Sequence, residues 1–171
     1  MSETTAEKTD PFLVTAEGYA QLRAELEELL TEGRGGMSAR VERARADGDL
    51  ADNSALYAVL EEQAQLERRI AALEEQFVGA RIAEPPVDGT AGIGSWIRVR
   101  DEATGEIAKY ELVGAIETDV GNGRVSVDAP IGHALAGRRR GDIVEVGTPR
   151  GLVRLELLDV GLPRRSRHHA A

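Results

Sequence analysis

Three aspartates fall within six residues of this chain: Asp47, Asp49 and Asp52, in the stretch Arg45-Ala46-Asp47-Gly48-Asp49-Leu50-Ala51-Asp52-Asn53. Asp49 and Asp52 are three apart, so at the start of a helix they share one side. Two neighbouring carboxylates can hold a hard cation such as Mg²⁺ and orient a water beside it. The same spacing also reads as a variant capping box, with Asp49 at the N-cap and Asp52 at the third helical position. Aspartate in a first helical turn is in any case favoured by the helix dipole. The two readings are compatible, because a carboxylate can cap a helix and still face outward.

What positions these acids is a pair of patterned segments on either side. Thr15 is placed to cap a helix starting near Ala16. Tyr19, Leu22, Leu26 and Leu29 then recur at alternating steps of three and four, the seam of a helix that faces a partner helix. Gly33, Gly35 and Gly36 predict a break or kink, since glycine inside a helix costs about 1 kcal/mol relative to alanine. The seam resumes at Met37, Val41 and Ala44 and ends at the turn signal Asp47-Gly48-Asp49. The second segment is more regular: Leu56, Val59, Gln63, Leu66, Ile70, Leu73 and Phe77 step by three and four throughout. Two such helices joined by a short turn predict an antiparallel coiled-coil hairpin over residues 12–79, with the acids at its tip. At about 1.5 Å per residue, roughly 28 residues give an arm on the order of 40 Å long.

Beyond Gly79 the period changes from helical to two. Residues 80–95, with Pro85 and Pro86, read as a boundary holding at most a short strand. Trp96–Arg100 and Lys109–Val113 read as strands around the turn Glu102-Ala103-Thr104-Gly105, and Val125–Val127 as a third. A short helix follows at Ile131–Ala136, then a hairpin of Ile143–Val146 and Leu152–Val160. The fold class is α+β: a helical arm, then a small, mostly antiparallel domain over residues 80–162. Residues 1–11 read as a disordered tail and 163–171 as a basic one. Trp96 reads as a core residue and His133 as a helix residue without a catalytic partner. The run Arg138-Arg139-Arg140 reads as a solvated turn.

Composition narrows the function further. A net charge of −9 disfavours unaided binding to duplex nucleic acid, which needs a cationic face. There is no cysteine, which excludes disulfide frameworks, cysteine-ligated zinc and thiol nucleophiles. No apolar leader or membrane-length stretch is present, so a cytoplasmic, membrane-free protein is expected. A hairpin that closes its own seam predicts a monomer.

The segment Arg45–Asn53, the helices around it and Leu66-Glu67-Arg68-Arg69-Ile70 resemble the Gre family, whose hairpin tip has the form Gly-Asp-Leu-x-Glu-Asn. Val127-Asp128-Ala129-Pro130-Ile131-Gly132-His133-Ala134-Leu135-Ala136-Gly137 is similar to that family's segment around a Ser-Pro step, and Gly141-Asp142 and Thr148-Pro149 also fit. The resemblance covers about residues 12–160. It implies a bacterial transcription elongation factor that is not itself an enzyme. Its FKBP-like C-terminal domain would dock on RNA polymerase beside the secondary channel, and its arm would enter that channel. There the tip would help hold a Mg²⁺ of the polymerase, which would then cleave backtracked RNA. By the same resemblance Asp49 is the metal ligand, and Asp52 shares the metal or orients water. Arg45 approaches the nascent RNA 3′ end. Gly48, Leu50 and Asn53 frame the tip with Asp47, and Asp128 and Pro130 dock on the polymerase rim. The isolated protein is expected to bind no cofactor.

The sequence departs from the family pattern at several points. Asp52 stands where the family has Glu, shortening the reach by roughly 1.5 Å, and a misplacement of about 1 Å can cost on the order of 100-fold where geometry is critical. Leu60 replaces an Arg often found in active members, and Leu56-Tyr57 replaces a Tyr-His pair. Ala129 replaces the Ser of the Ser-Pro step, and Asp47 adds a third acid. Some relatives enter the same channel and inhibit the polymerase, so the resemblance leaves two activities open: stimulation of cleavage, and inhibition without it.

Overall fold

The computed structural model describes residues 12–46 and 54–162. Asp47, Gly48, Asp49, Leu50, Asp52 and Asn53 lie outside the described residues, as do both tails. The chain divides into two units, one of Tyr19–Ala80 and one that joins residues 12–18 to the chain from Arg81 onward.

The first unit is the helical hairpin. Helix α1 (Ala16–Glu28) runs into a single π-helical turn, Leu29–Gly33, and continues as α2 (Arg34–Ala46); α3 (Ser54–Gly79) returns. The least exposed positions are those of the seam. Leu22, Val41, Ile70 and Leu73 are buried, Leu26, Leu29, Met37, Leu66 and Phe77 are half-buried, and the rings of Tyr19 and Phe77 meet at 4.9 Å. Ile70 and Leu73 are each 1% exposed, worth about 1.5–3 kcal/mol apiece.

The helix does not break at the glycines, and the irregularity expected there takes the form of a π turn that ends at Gly33. Gly35 and Gly36 lie within α2, and the irregularity is the π turn, where Arg34 N–H donates to Leu29 O. The seam itself explains this. Continued from Leu29 in steps of four and three, it would reach positions 33, 36, 40 and 43. The apolar residues instead stand one position later, at Met37, Val41 and Ala44. An α-helix turns about 100° per residue, so one extra residue would swing all three off the seam. A π turn absorbs one residue and restores the phase.

The second unit is built on a five-stranded sheet of order β5-β4-β3-β7-β6. Its strands are β3 (Trp96–Asp101), β4 (Ile107–Val113), β5 (Arg124–Ser126), β6 (Ile143–Thr148) and β7 (Gly151–Gly161); β1 (Phe12–Val14) and β2 (Ala80–Ile82) form a separate two-stranded sheet. The period of two sets the inner face: Ile97 and Val99, Leu112, Val144 and Val146, Leu155 and Leu157 form the core, covered by Leu135 of α4 (Pro130–Leu135). The bulge opposite Arg98 and Val99 lets Leu157 and Val160, three apart, both pack toward this core. Gly137, at φ 77°, ends α4 in the left-handed conformation that closes a helix C-terminus.

One sequence expectation is corrected, and the mostly antiparallel sheet has one exception. Trp96 is not core: it lies half-buried on the outer face, with Lys109 Nζ 5.0 Å from its ring centre and its indole N–H donating to Leu162 O. The sheet also holds one parallel pair, β4 with β5, among antiparallel neighbours. The ten residues 114–123 joining them contain two 3-10 turns, Ala115–Glu117 and Val120–Asn122.

Candidate functional site

Two surfaces carry the residues singled out by sequence, one on each unit. On the hairpin, the last turn of α2 holds Arg43 and Arg45, both exposed. Seven residues then connect Ala46 to Ser54, and all three aspartates are among them. The structure therefore places Arg45 at the end of the arm where that connection begins. The hairpin is latched along its length by interhelical ion pairs: Glu25 with Arg69, Arg34 with Glu67, and Arg40 with Glu62. The Arg34–Glu67 pair is bidentate, at 3.0 and 2.8 Å. That hydrogen bond holds the Glu67 carboxyl below its ordinary range and raises the Arg34 guanidinium. Both side chains are nearly half exposed, so such pairs set register more than they add stability.

Near the distal end of α3, Tyr57 is 69% exposed. Its ring is presented to solvent, as Val78 is near the other end of α3. Its type and spacing give it no role beyond a departure from the family pattern; only its orientation in the structure marks it.

On the sheet unit, Asp128 and Pro130 are brought together on the loop entering α4, and both are exposed. Ser126 fixes that loop: its hydroxyl accepts from Asp128 N–H at 3.1 Å and its carbonyl accepts from Ala129 N–H at 3.1 Å. Pro130 occupies the first turn of α4, where its missing N–H costs nothing. Gly132 lets the helix lie on the loop, since a Cβ there would meet Ser126 O at 1.9 Å. Behind Pro130, Ile131 joins Val99, Tyr110, Val146 and Leu155 around a small cavity of about 220 Å³. Tyr110 is the one aromatic among its lining residues, which does not make the aromatic-walled pocket a prolyl isomerase needs. His133 sits exposed on α4, and Arg139 of the basic run pairs with Asp88.

Sequence reasoning misses a third feature of this unit. Glu117, with its side chain 4% exposed, accepts four hydrogen bonds. Oε2 takes the N–H groups of Thr15 (2.8 Å) and Gly114 (3.1 Å), while Oε1 takes the Thr15 hydroxyl and Arg124 Nη2 (3.3 Å). Thr15 Oγ1 in turn caps α1 by accepting from Gly18 N–H at 3.0 Å, as the sequence predicts. Gly18 is glycine because a Cβ there would meet Glu117 Oε1 at 2.1 Å. A lone Glu in Ile116-Glu117-Thr118 offers no spacing signal for such a role.

Among the described residues no group of three His, Cys, Asp or Glu gathers as a metal site, and no helix is long and apolar enough to cross a membrane.

Compared with known proteins, residues 12–82 match the family model described as "Transcription elongation factor, N-terminal", and residues 86–161 match "Transcription elongation factor, GreA/GreB, C-term". The chain is 38% identical over 149 residues to a protein named transcription elongation factor GreA from Syntrophobacter fumaroxidans, covering 86% of this chain and 96% of that one. It is 39% identical over 151 residues to a protein of the same name from Phenylobacterium zucineum, covering 86% and 95%. Among solved structures it is similar to the GreA factor homolog 1 (Gfh1) protein of Thermus thermophilus, at 28% identity and a TM-score of 0.41, over 88% of this chain and 98% of that one.

Proposed function

The chain belongs to the GreA/GreB family of transcription elongation factors, and we propose that it acts inside RNA polymerase, lending carboxylates to the polymerase's own cleavage of backtracked RNA. The observation that carries this reading is the position of Asp47, Asp49 and Asp52 in the seven residues joining two long, latched helices. A module that only bridges two proteins has no use for a concentration of acid at the end of its arm and would more often present an apolar patch.

The chemistry follows from the donor set. Carboxylate oxygens are the ligands Mg²⁺ takes, so Asp49 and Asp52 suit that ion by type. A second Mg²⁺ beside a phosphodiester stabilises the attacking and leaving oxygens of an in-line displacement. Asp49 serves as ligand; Asp52, one methylene shorter than the glutamate it replaces, shares the ion or holds the attacking water. Arg45 neutralises RNA phosphate nearby. The sheet unit docks on the polymerase rim through Asp128 and Pro130. The factor supplies ligands and position, and the polymerase supplies the active site, so the protein is an accessory factor that binds no metal on its own. It acts as a monomer in the cytoplasm.

A second reading has a specific basis in the shortened Asp52 and the additional Asp47: the arm enters the channel and slows the polymerase without promoting cleavage. One experiment separates the two. The purified protein is added, with Mg²⁺, to a backtracked elongation complex of its own polymerase carrying end-labelled RNA, and Asp49→Ala is run beside it. Shortening from the 3′ end by wild type but not by Asp49→Ala is the expected result. Intact RNA with slowed elongation would establish the inhibitor instead, and absence of polymerase binding would sink both.

A further inference from the structure

We infer that the outer face of the sheet unit is a receptor for the chain's own basic end: an arginine of segment 163–167 stacks on the indole of Trp96 beside the carboxylates of Glu17 and Glu111.

The receptor is built around a fixed ring. The indole N–H of Trp96 donates to Leu162 O at 2.9 Å. Gly161 makes room for the ring, since a Cβ there would lie 2.3 Å from it. Trp96 lines a cavity of about 680 Å³ with Glu17, Lys109, Glu111 and Asn122, all of the sheet unit. Two carboxylates and one ammonium are the charges of that lining, so an anion would meet repulsion there and a cation attraction. Lys109 shows the preference directly: its Nζ stands over the indole, 5.0 Å from the ring centre. A guanidinium suits the place better than an ammonium. It is planar, more weakly hydrated, and stacks on aromatic faces while its N–H groups reach carboxylates at the edge. Glu111 meets Arg124 at 3.7 Å, beyond hydrogen-bond reach, so its oxygens can accept from a second guanidinium. Lys109 is exposed, and its flexible stem lets it leave the ring to an incoming arginine.

Where the chain goes next selects the occupant. Leu162, whose carbonyl Trp96 holds, is followed by residues 163–171, which lie outside the described residues. They contain Arg164, Arg165 and Arg167 and no acidic side chain. Arg164 is two residues beyond Leu162, at most roughly 7 Å of extended chain. A tether this short holds the arginines near the cavity at an effective concentration on the order of millimolar. A contact too weak to capture a separate peptide is then enough to seat the chain's own. Docked in this way, the tail covers the outer face of the sheet, and its arginines are withheld from nucleic-acid phosphate.

The test uses the full chain and two readouts. In the first, wild type and Trp96→Leu are digested briefly with trypsin under native conditions, and the initial rates of cutting after Arg164 and Arg165 are read by mass spectrometry. Trypsin must take the arginine itself, so the rate follows the undocked fraction. Cutting should be about 5-fold slower in wild type, the factor one cation–π contact supplies. In the second, Arg164, Arg165 and Arg167 are all replaced by Gln, and acrylamide quenching of Trp96, the single tryptophan, is compared with wild type. The quenching constant should rise by about 2-fold as the ring loses its cover. Equal cutting rates in wild type and a folded Trp96→Leu, or unchanged quenching in the tail variant, would overturn the proposal. Should Trp96→Leu fail to fold, the tail variant decides alone, because it alters no residue of the sheet unit's core or cavity.

Discussion

Replacing Glu117 by alanine should damage the sheet unit far more than any exposed charge would. The carboxylate accepts from two backbone N–H groups, one hydroxyl and one guanidinium, and its side chain is 4% exposed. The variant leaves Thr15 N–H and Gly114 N–H without an acceptor, at about 1–3 kcal/mol each. It also takes from Arg124, whose side chain is 19% exposed, its hydrogen-bonded partner, leaving the ion pair with Glu111 at 3.7 Å, beyond hydrogen-bond reach. Breaking a buried pair in this way costs about 3–5 kcal/mol. The Thr15 hydroxyl can turn to another acceptor, which argues for the lower part of that range. At roughly 2–4 °C per kcal/mol for a chain of this length, the melting midpoint should drop by about 6–20 °C. Trp96 is the single tryptophan and sits in the same unit, so its fluorescence during urea unfolding follows this unit without interference from the helices. Glu117→Gln keeps the shape and should lose less, since its amide can donate to the Thr15 hydroxyl. A loss below about 1 kcal/mol for Glu117→Ala would refute the account of Glu117 as the acceptor holding this corner together.

Two further outcomes are expected. Glu67 has a folded-state pKa held down by Arg34, so its stabilisation is complete above its ordinary value of 4.5 and is lost as pH falls through the lowered one. The stability difference between wild type and Glu67→Gln, read by circular dichroism at 222 nm, should therefore be small and constant near neutrality and shrink only in acid; a difference that grows on acidification would contradict the assignment. Deleting Gly35 should convert the π turn at Leu29–Gly33 to α-helix without moving Val41 or Ala44 off the seam. The melting temperature should hold or rise, because a helix-interior glycine costs about 1 kcal/mol relative to alanine, and a fall of several degrees would show that the π turn does something other than absorb a residue.

Much of this architecture is legible in the sequence, for identifiable reasons. Ile97 and Val99, Val144 and Val146, and Leu155 and Leu157 alternate at period two, so their strands and inner faces can be read directly. Thr15 can be read as a cap because its type and its position before a patterned run both point the same way. The parallel pairing of β4 with β5 cannot, since Arg124–Ser126 is three residues long and pairing direction is set by the connection at 114–123. Trp96 misleads because its size suggests burial, whereas the alternation of β3 puts Ile97 inward and its neighbours out. Glu117 gives no signal because its partners Thr15 and Arg124 are distant in sequence and only the fold assembles them. The acids are a different case: Asp49 and Asp52 lie outside the described residues, their spacing reads equally as a helix cap, and the family resemblance carries the chemical idea.

The extra residue in the first helix links arm and site. The seam steps by three and four from Tyr19 to Leu29 and again from Met37 to Ala44, with one extra residue between the two runs, and in a continuous α-helix that residue would rotate everything beyond it by about 100°. Arg40 would then leave Glu62, with which it pairs. The π turn cancels that rotation within five residues. The glycines nearby differ in their surroundings: a Cβ added at Gly33 would lie 3.3 Å from the Leu66 side chain, while Gly35 and Gly36 face open space. The helices therefore stay in contact through the irregular turn, and the ion pairs beyond it fall in register. Whatever chemistry the carboxylates perform depends on that register, because α2 and α3 must present both ends of the connecting segment on fixed faces.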